Sequence, residues 1–506
     1  MKKQLDLLLV NAPSSLDVYN NISPLAALEP PVWAGLIARH CLNKGYSVQL
    51  LDAEAEGLDA VSTANGIRDA NPRLAAFCVY GHQPSASTQC MPGASYVASL
   101  VKGQVPTLAL GTHPSALPEK TLHEGAFDFV CQGEGPHTIT VLIVALQQGL
   151  SFDHPLPFSR RPPGLLWGMS RTNSYPSTNI TDLDKELPGQ AWELLDMTKY
   201  HAHQIHLWTG DPDGGYASVQ TSLGCSFSCT FCCIQTPFGN ESPRMRYWSP
   251  KNVVDQIEHL VRKYEITNIK IPDEMFVLNR NHVRAICEDI VARGLGDILN
   301  MWAYARVDTV KDKGLLMLMR AAGFRSLGMG IESGSKHVRD GAEKGKFDNE
   351  GIINAVRRVQ NHGIAVGANY IFGLPDDTKE SMQATLDLAY EINSEWANFY
   401  CAMAYPGSEL HRIAERNGWR LPEDPDGPGW IGYSQHAYES LPLRTETLHH
   451  TEVLDFRDNA HLHYFSRPEY LKMLEYKFSQ RAVRDVEAML MLGRPQRKHR
   501  ESGGLT

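Results

Sequence analysis

The stretch Thr221-Ser-Leu-Gly-Cys225-Ser-Phe-Ser-Cys229-Thr-Phe-Cys232 carries three cysteines in C-x3-C-x2-C spacing. Ten cysteines among 506 residues would produce such a triplet by chance about 0.004 times per chain. Thiolates are soft ligands that suit iron and sulfide, and three on one short loop can hold three irons of a 4Fe-4S cluster. The fourth iron is then open to chemistry. A structural zinc loop is the competing reading, but tetrahedral zinc normally needs a fourth Cys or His at a matching short spacing. Cys233 abuts Cys232 and is badly placed to close the same site.

On either side of this loop the chain alternates short apolar runs with helix-period segments. Tyr216 to Thr221 reads as a strand leading into the cysteines, and Ser249-Pro250 as a helix start, with Ser as N-cap and Pro at the first helical position. Strands are expected at Ile266 to Ile271, Met301 to Arg306, Leu327 to Ile331, Ile364 to Phe372 and Phe399 to Ala404. Six such units predict a curved parallel sheet, a partial (β/α)6 version of the closed eight-fold barrel, with its site at the strand carboxyl ends. The cysteine loop follows the first strand and so falls on that face.

The amino-terminal region to about residue 150 is also α/β, with strands expected at Leu5 to Val10, Ser47 to Leu51, Leu74 to Tyr80, Pro106 to Leu110 and Phe127 to Cys131. Five buried strands with intervening helices predict a doubly wound, flavodoxin-like sheet whose ligands sit beyond the strand carboxyl ends. The loops there are rich in Gly, Ser and Pro, as backbone approaching a ligand closely would require. Residues 151–215 carry many prolines and glycines and read as a linker with little regular structure. The division expected is therefore 1–150, 151–215, a core over 216–420 and a helical accessory region over 421–506, with periodic segments at Thr447 to Phe465 and Pro468 to Leu492.

A net charge of -9 argues against a mainly nucleic-acid-binding surface. The basic end Gly493-Arg-Pro-Gln-Arg-Lys-His-Arg500 reads as a solvated terminus. No run approaches a membrane span, and the scattered Cys41, Cys78, Cys90, Cys131, Cys287 and Cys401 fit core positions of a reduced, cytoplasmic protein.

A triplet of this spacing after the first strand of a six-unit parallel barrel resembles the radical S-adenosylmethionine (SAM) superfamily. The amino-terminal domain, with Leu108-Ala-Leu-Gly-Thr-His-Pro-Ser-Ala-Leu-Pro118 and Phe127-Asp-Phe-Val-Cys-Gln-Gly-Glu-Gly135, is similar to that of its cobalamin-binding branch. The resemblance implies that Cys225, Cys229 and Cys232 hold the cluster and that SAM chelates the fourth iron. Phe231 then borders the adenine, Asp273 and Glu274 attract the methionine amine, Arg306 pairs with the carboxylate, Gly373 shapes the SAM pocket, and Glu332, a charge ending the fourth strand over the site, is a further SAM-site residue. Cobalamin is expected against Pro13, Gly81, His82, Gln83, Ser85, Gly111, Thr112, His113, Ser115, Gly133, Glu134 and Gly135. The Asp-x-His-x-x-Gly motif that supplies a cobalt ligand in many cobalamin domains is missing, so no histidine on cobalt is expected. His82 and His113 are instead read as hydrogen-bonding to corrin side groups or backbone.

The implied chemistry is reductive cleavage of SAM to methionine and a 5'-deoxyadenosyl radical, hydrogen abstraction from an unactivated carbon, and methyl transfer from cobalamin. It needs an external one-electron reductant and no protein base, so no catalytic side chain is named. Three rivals stand beside it. One is ring formation, rearrangement or oxygen insertion with the same cofactors; another is methylthio transfer to RNA, which needs three amino-terminal cysteines at strand ends that this chain lacks. The third is a cobalamin or redox sensor. The expected substrate is a small molecule or biosynthetic intermediate.

Overall fold

The computed structural model describes residues 4–80, 86–152, 162–168, 177–203, 206, 208–211, 214–239, 245–345 and 347–501. The first sheet contains β1 (Leu7–Asn11), β2 (Val48–Asp52), β3 (Leu74–Val79), β4 (Thr107–Gly111), β5 (Phe129–Cys131) and β6 (Leu165–Trp167), in the order β2-β1-β3-β4-β5-β6. β1 to β5 run parallel, and β3 and β4 are buried along their whole length. Helices on both faces produce that burial, which is why these strands read as unbroken apolar runs rather than alternating ones.

The second sheet begins with β7 (Gly215–Ser218). The short antiparallel pair β8 (Ser222–Leu223) and β9 (Arg246–Tyr247) then brackets the cysteine loop. The sheet continues with β10 (Ile266–Lys270), β11 (Asn300–Arg306), β12 (Phe324–Glu332), β13 (Ala365–Phe372) and β14 (Trp396–Cys401). All six strands are parallel in the order β14-β13-β12-β11-β10-β7, an open, partial barrel. Before β10 the helix Pro250–Tyr264 starts as its sequence requires, the Ser249 Oγ accepting from the Asn252 backbone N–H at 3.2 Å.

Two stretches carry more packing than the sequence suggests. The described residues of 151–215 have little regular structure, as expected, but β6 adds antiparallel to β5 and Ile180, Leu183, Leu187 and Trp192 enter the core of the second sheet. Gln190 Nε2 donates to the Ser218 carbonyl at 2.7 Å, and Trp248 Nε1 donates to the Leu187 carbonyl at 2.6 Å. Prolines and glycines broke the periodicity, while the isolated large apolar residues between them carry the packing.

The basic carboxyl-terminal stretch is no solvated tail. Arg497 is 2% exposed and donates to the Ala437 and Gln435 carbonyls, and its guanidinium pairs with the buried Asp458. Asp458 lies on the helix His450–Phe465, which packs on the second sheet through Phe399 and Tyr464 and through Tyr464 Oη donating to the Ser394 carbonyl at 2.7 Å. No helix among the described residues is long and apolar enough to cross a membrane.

Candidate active site

A cavity of about 600 Å³ opens at the carboxyl ends of the second sheet and runs down its inner face. Cys225, Cys229 and Cys232 all line it. Asp273, directly beyond β10, sets where their loop leaves the sheet. Its Oδ1 accepts from the Thr221 backbone N–H at 2.8 Å, and its Oδ2 accepts from the Thr221 and Ser222 hydroxyls, each at 2.6 Å. Gly224 then turns through φ +90°, a conformation open to glycine, and delivers Cys225. The loop is also tied to the rest of the barrel, since Thr230 N–H donates to the Ala342 carbonyl at 3.3 Å and its own carbonyl accepts from Leu410 N–H at 2.8 Å.

Burial pushes the Cys225 thiol up to about 11 and also raises Cys232. Metal binding must therefore displace their protons. Among the described residues no three His, Cys, Asp or Glu side chains converge as a single metal ion would require. A cluster takes its thiolates at separate corners, and three soft donors on one loop fit that demand.

The opposite wall is charged and aromatic. Arg306, 4% exposed, lies with its guanidinium carbon 3.8 Å from the Phe227 ring centroid; its Nε meets Asp308 Oδ1 at 3.1 Å and its Nη2 donates to the Lys344 carbonyl. Glu332 adopts φ +68° and pairs with Lys344 Nζ at 2.6 Å, and that ammonium stands 6.0 Å from the Phe231 ring centroid. Burial works against the Lys344 charge, but Glu332 and Cys229 outweigh it and raise its pKa. Burial pushes the Glu274 carboxyl up to about 7, and this side chain lines the cavity beside the cysteine loop.

Phe231, Glu274, Arg306 and Glu332 are therefore brought together with the three cysteines. Two other expected SAM contacts are not. The Asp273 carboxylate is consumed by Thr221 and Ser222, and it does not line the cavity. Gly373 does not line it either: a Cβ there would stand 2.8 Å from Val453 Cγ1, so this glycine is needed for docking the carboxyl-terminal helix.

A second, adjoining cavity of about 150 Å³ lies between the carboxyl ends of β1 and β3 and the cysteine loop, with Asn11, Ser14, Trp33, Tyr80, Gln89 and Gly224 on its walls. Gly81, His82, Gln83 and Ser85 lie outside the described residues. Of the other residues expected there, several serve the fold. Pro13 sets its carbonyl against Gly93, and a Cβ on Gly111 (φ +145°) would run into the Val79 carbonyl oxygen. A Cβ on Gly133 would meet Ser177, and one on Gly135 would meet Leu110. The glycines at these strand ends thus answer to close backbone and side-chain packing within the protein. Glu134 is 1% exposed; it accepts from the Ile180 backbone N–H at 2.7 Å and pairs with Arg246, bridging the two sheets, so its carboxylate is already engaged.

His113 is fully buried, its Nδ1 3.2 Å from Thr88 Oγ1 and its ring edge-on to Trp430 at 4.5 Å. Burial drives its pKa down to about 3, so it is neutral at physiological pH. Ser115 Oγ accepts from the Gly133 N–H at 3.1 Å. Tyr80 Oη, Thr112 Oγ1 and His113 Nε2 are buried without a hydrogen-bond partner among the described residues, polar atoms at the strand ends that fit a polar ligand.

Several lining residues escaped the sequence reading. Lys270 and Glu29 form a buried pair at 2.6 Å, and the motif Ala26-Ala-Leu-Glu-Pro-Pro31, a charge inside an apolar run, was its available signal. Trp302, Tyr304 and Asn369 sit on inward positions of strands the sequence predicts, where alternation marks them, whereas Asn398 lies just before the predicted start at Phe399. His436, Arg457 and His461 reach the cavity from the carboxyl-terminal region, for which no sequence signal existed.

Comparisons with known proteins agree with this arrangement. Residues 219–389 match the model of the radical SAM superfamily, and residues 22–143 that of the B12 binding domain. An uncharacterized methyltransferase of Pyrococcus horikoshii is 29% identical over 83% of this chain and 85% of its own length. An anaerobic magnesium-protoporphyrin IX monomethyl ester cyclase of Cereibacter sphaeroides is 24% identical over 85% of this chain and 66% of its own. Among solved structures, a radical SAM methyltransferase from Kitasatospora setae with cobalamin and a 4Fe-4S cluster bound superposes with a TM-score of 0.61 at 17% identity, over 87% of this chain and 82% of that one. That last likeness is one of fold. With both family models matched in their expected order and the cysteine triplet opening onto the shared cavity, the chain belongs to the cobalamin-dependent radical SAM enzymes, whose cofactors are a 4Fe-4S cluster, SAM and cobalamin.

Proposed function

We propose that this enzyme methylates an unactivated carbon of a small-molecule substrate. The observation that carries the reading is the single cavity in which Cys225, Cys229 and Cys232 face Glu274, Arg306 and Glu332, adjoined by the cavity at the amino-terminal strand ends. The methyltransferase relative supports methyl transfer, being matched over most of both chains. When bound, the three cofactors supply an electron, a carbon-centred radical and a transferable methyl group.

The chain's own part is placement and exclusion of water. Cys225, Cys229 and Cys232 hold three irons through their thiolates. Glu274 attracts the ammonium of SAM, Arg306 its carboxylate, and Phe231 borders the adenine. Arg306 is kept in place by Asp308 and the Lys344 carbonyl. The Glu332–Lys344 pair fixes the neighbouring wall, so no charge has to reorganise as SAM enters. Thr112, His113 and Ser115, beyond β1, β3 and β4, would hold cobalamin, which would supply the transferable methyl group. In this reading residues 1–150 form the cobalamin domain, 151–215 the connection, 216–420 the radical SAM core and 421–506 an accessory region. The protein works in the cytoplasm with an external one-electron reductant.

The cyclase relative favours a second reading, ring formation with the same cofactors. Anaerobic incubation of the reconstituted enzyme with reductant, SAM and a small-molecule extract as the source of substrate separates the readings. Methyl transfer yields both 5'-deoxyadenosine and S-adenosylhomocysteine, the co-product of methyl donation. 5'-Deoxyadenosine alone favours ring formation, and neither product favours a sensor.

A further inference from the structure

Below the charged wall, two neighbouring strands of the cavity floor carry glycine. The pairing register sets Tyr304, Gly328, Gly367 and Trp396 side by side across β11 to β14, and Arg306, Gly330, Asn369 and Asn398 in the next row up. The two central strands thus present glycine where the outer two present aromatic rings. A Cβ on Gly328 would stand 2.7 Å from Tyr304 Cδ1, so that ring lies across it, whereas a Cβ on Gly367 would meet nothing within 4 Å. The result is a slot with an open floor at Gly367 between a tyrosine wall and a tryptophan wall.

The polar groups of this slot have a fixed direction. Trp396 Nε1 can only donate, and it donates to Asn398 Oδ1 at 2.8 Å. That contact fixes the Asn398 amide, whose Nδ2 donates to Asn369 Oδ1 at 2.8 Å. The chain therefore ends with the Asn369 Nδ2 donor in the cavity wall, without a hydrogen-bond partner among the described residues. Three more groups there are unpartnered: the Ser326 hydroxyl, 7% exposed, the buried Trp302 Nε1, and Nδ1 of His206, whose ring stacks on Trp302 at 4.2 Å. The charged groups close by are committed, Lys270 to Glu29, and Arg306 to Asp308 and, in the reading proposed above, to the carboxylate of SAM. Donors left unmatched in the cavity wall favour a ligand that brings acceptors, and a slot whose nearest cations are committed disfavours an anion.

We infer that the substrate is an uncharged, flat molecule that lies on the open floor at Gly367, between the Tyr304 and Trp396 rings, and accepts a hydrogen bond from Asn369 through a carbonyl-type oxygen. Asn369 and Gly367 are then the residues that select it. This deepens the proposed reaction by naming its substrate class and rests on that reading for the slot's being the substrate site.

The test is equilibrium binding to the cofactor-loaded enzyme of three probes of matched shape: coumarin, naphthalene and coumarin-3-carboxylate. Coumarin is expected to bind about tenfold more tightly than either of the others, the worth of one added hydrogen bond to an unmatched donor in the cavity wall. Asn369→Asp keeps an oxygen for Asn398 and removes the donor, so it abolishes the preference for coumarin over naphthalene. Gly367→Phe fills the floor and weakens both. Equal affinity for coumarin and naphthalene, tightest binding of the carboxylate, or an unchanged preference in Asn369→Asp would each overturn the inference. The binding readout is independent of 5'-deoxyadenosine formation, so failure of the slot assignment and failure of the reaction are told apart.

Discussion

Substituting Asp458 by asparagine should release the carboxyl-terminal strap from the cavity rim. The Asp458 side chain is fully buried, and three guanidiniums converge on it: Arg457 at 2.7 Å, Arg497 at 3.1 Å and Arg500 at 2.7 Å. Burial alone would raise its pKa, but Arg457 and Arg497 overcome that and hold it well below the ordinary aspartate value. The amide of Asp458→Asn keeps the shape and removes the charge, leaving buried cations without a counter-ion, a change that costs about 3–5 kcal/mol when one partner of a buried pair is removed. Arg497 and Arg500 sit on the strap, and Gly493, Arg494 and Pro495 line the cavity. The penalty is therefore relieved by local opening of residues 493–501 rather than by global unfolding. At about 1.4 kcal/mol per tenfold, the opening equilibrium rises about 10² to 4 × 10³-fold. Hydrogen exchange of the 493–501 amides reads this directly, and tryptic cleavage after Arg497 gives a second measure. A depressed carboxylate pKa contributes its stability above the unfolded value of 3.8 and loses it as pH falls. The wild-type strap should thus stay closed through neutral pH and loosen only below that value. Exchange of the strap within about tenfold of wild type in Asp458→Asn would refute the reasoning, since it would mean the cluster adds less than about 1.4 kcal/mol.

The remaining predictions concern the two cofactor-bearing regions. With Glu274 raised to about 7 by burial, its carboxylate is about one tenth ionised a unit below that pH and about nine tenths a unit above it. SAM should therefore bind about tenfold more tightly near pH 8 than near pH 6, by equilibrium dialysis. Glu274→Gln should bind weakly with no such slope, and a pH-independent wild-type affinity would count against the assignment of the ammonium partner. Gly111→Ala should lower the melting temperature clearly, because φ +145° and a Cβ against the Val79 carbonyl add about 2–3 kcal/mol or more of strain. An unchanged melting temperature with lost cobalamin would show instead that the glycine serves the ligand.

Both sheets were legible because their signals are local and repeated. Apolar runs such as Leu74 to Tyr80 and the Ser249-Pro250 helix start name their elements without outside help. The cysteine loop was legible because its spacing is improbable by chance. What the sequence hid depends on distant partners. Glu134 lies in a glycine-rich strand-end loop and reads as a ligand contact until Ile180 and Arg246 arrive from elsewhere in the chain. Asp273 looks like a cation binder until the Thr221–Ser222 turn claims it. Arg497 reads as solvated because nothing in its neighbourhood announces Asp458. A charged residue's role is set by what it faces, and spacing in sequence does not reveal that for contacts made across the fold.

The central claim is that one loop holds a 4Fe-4S cluster while a separate domain holds cobalamin, and metal content tests it most directly. Protein purified anaerobically and reconstituted with iron, sulfide and cobalamin is compared with Cys225→Ala and with the variant lacking all three thiols, Cys225→Ala/Cys229→Ala/Cys232→Ala. Wild type should carry about four irons and about one cobalt per chain, and the triple variant should lose the iron and its characteristic absorption while keeping the cobalt. Iron retained without the three thiols, or no cobalt retained by the wild-type protein, would contradict the account.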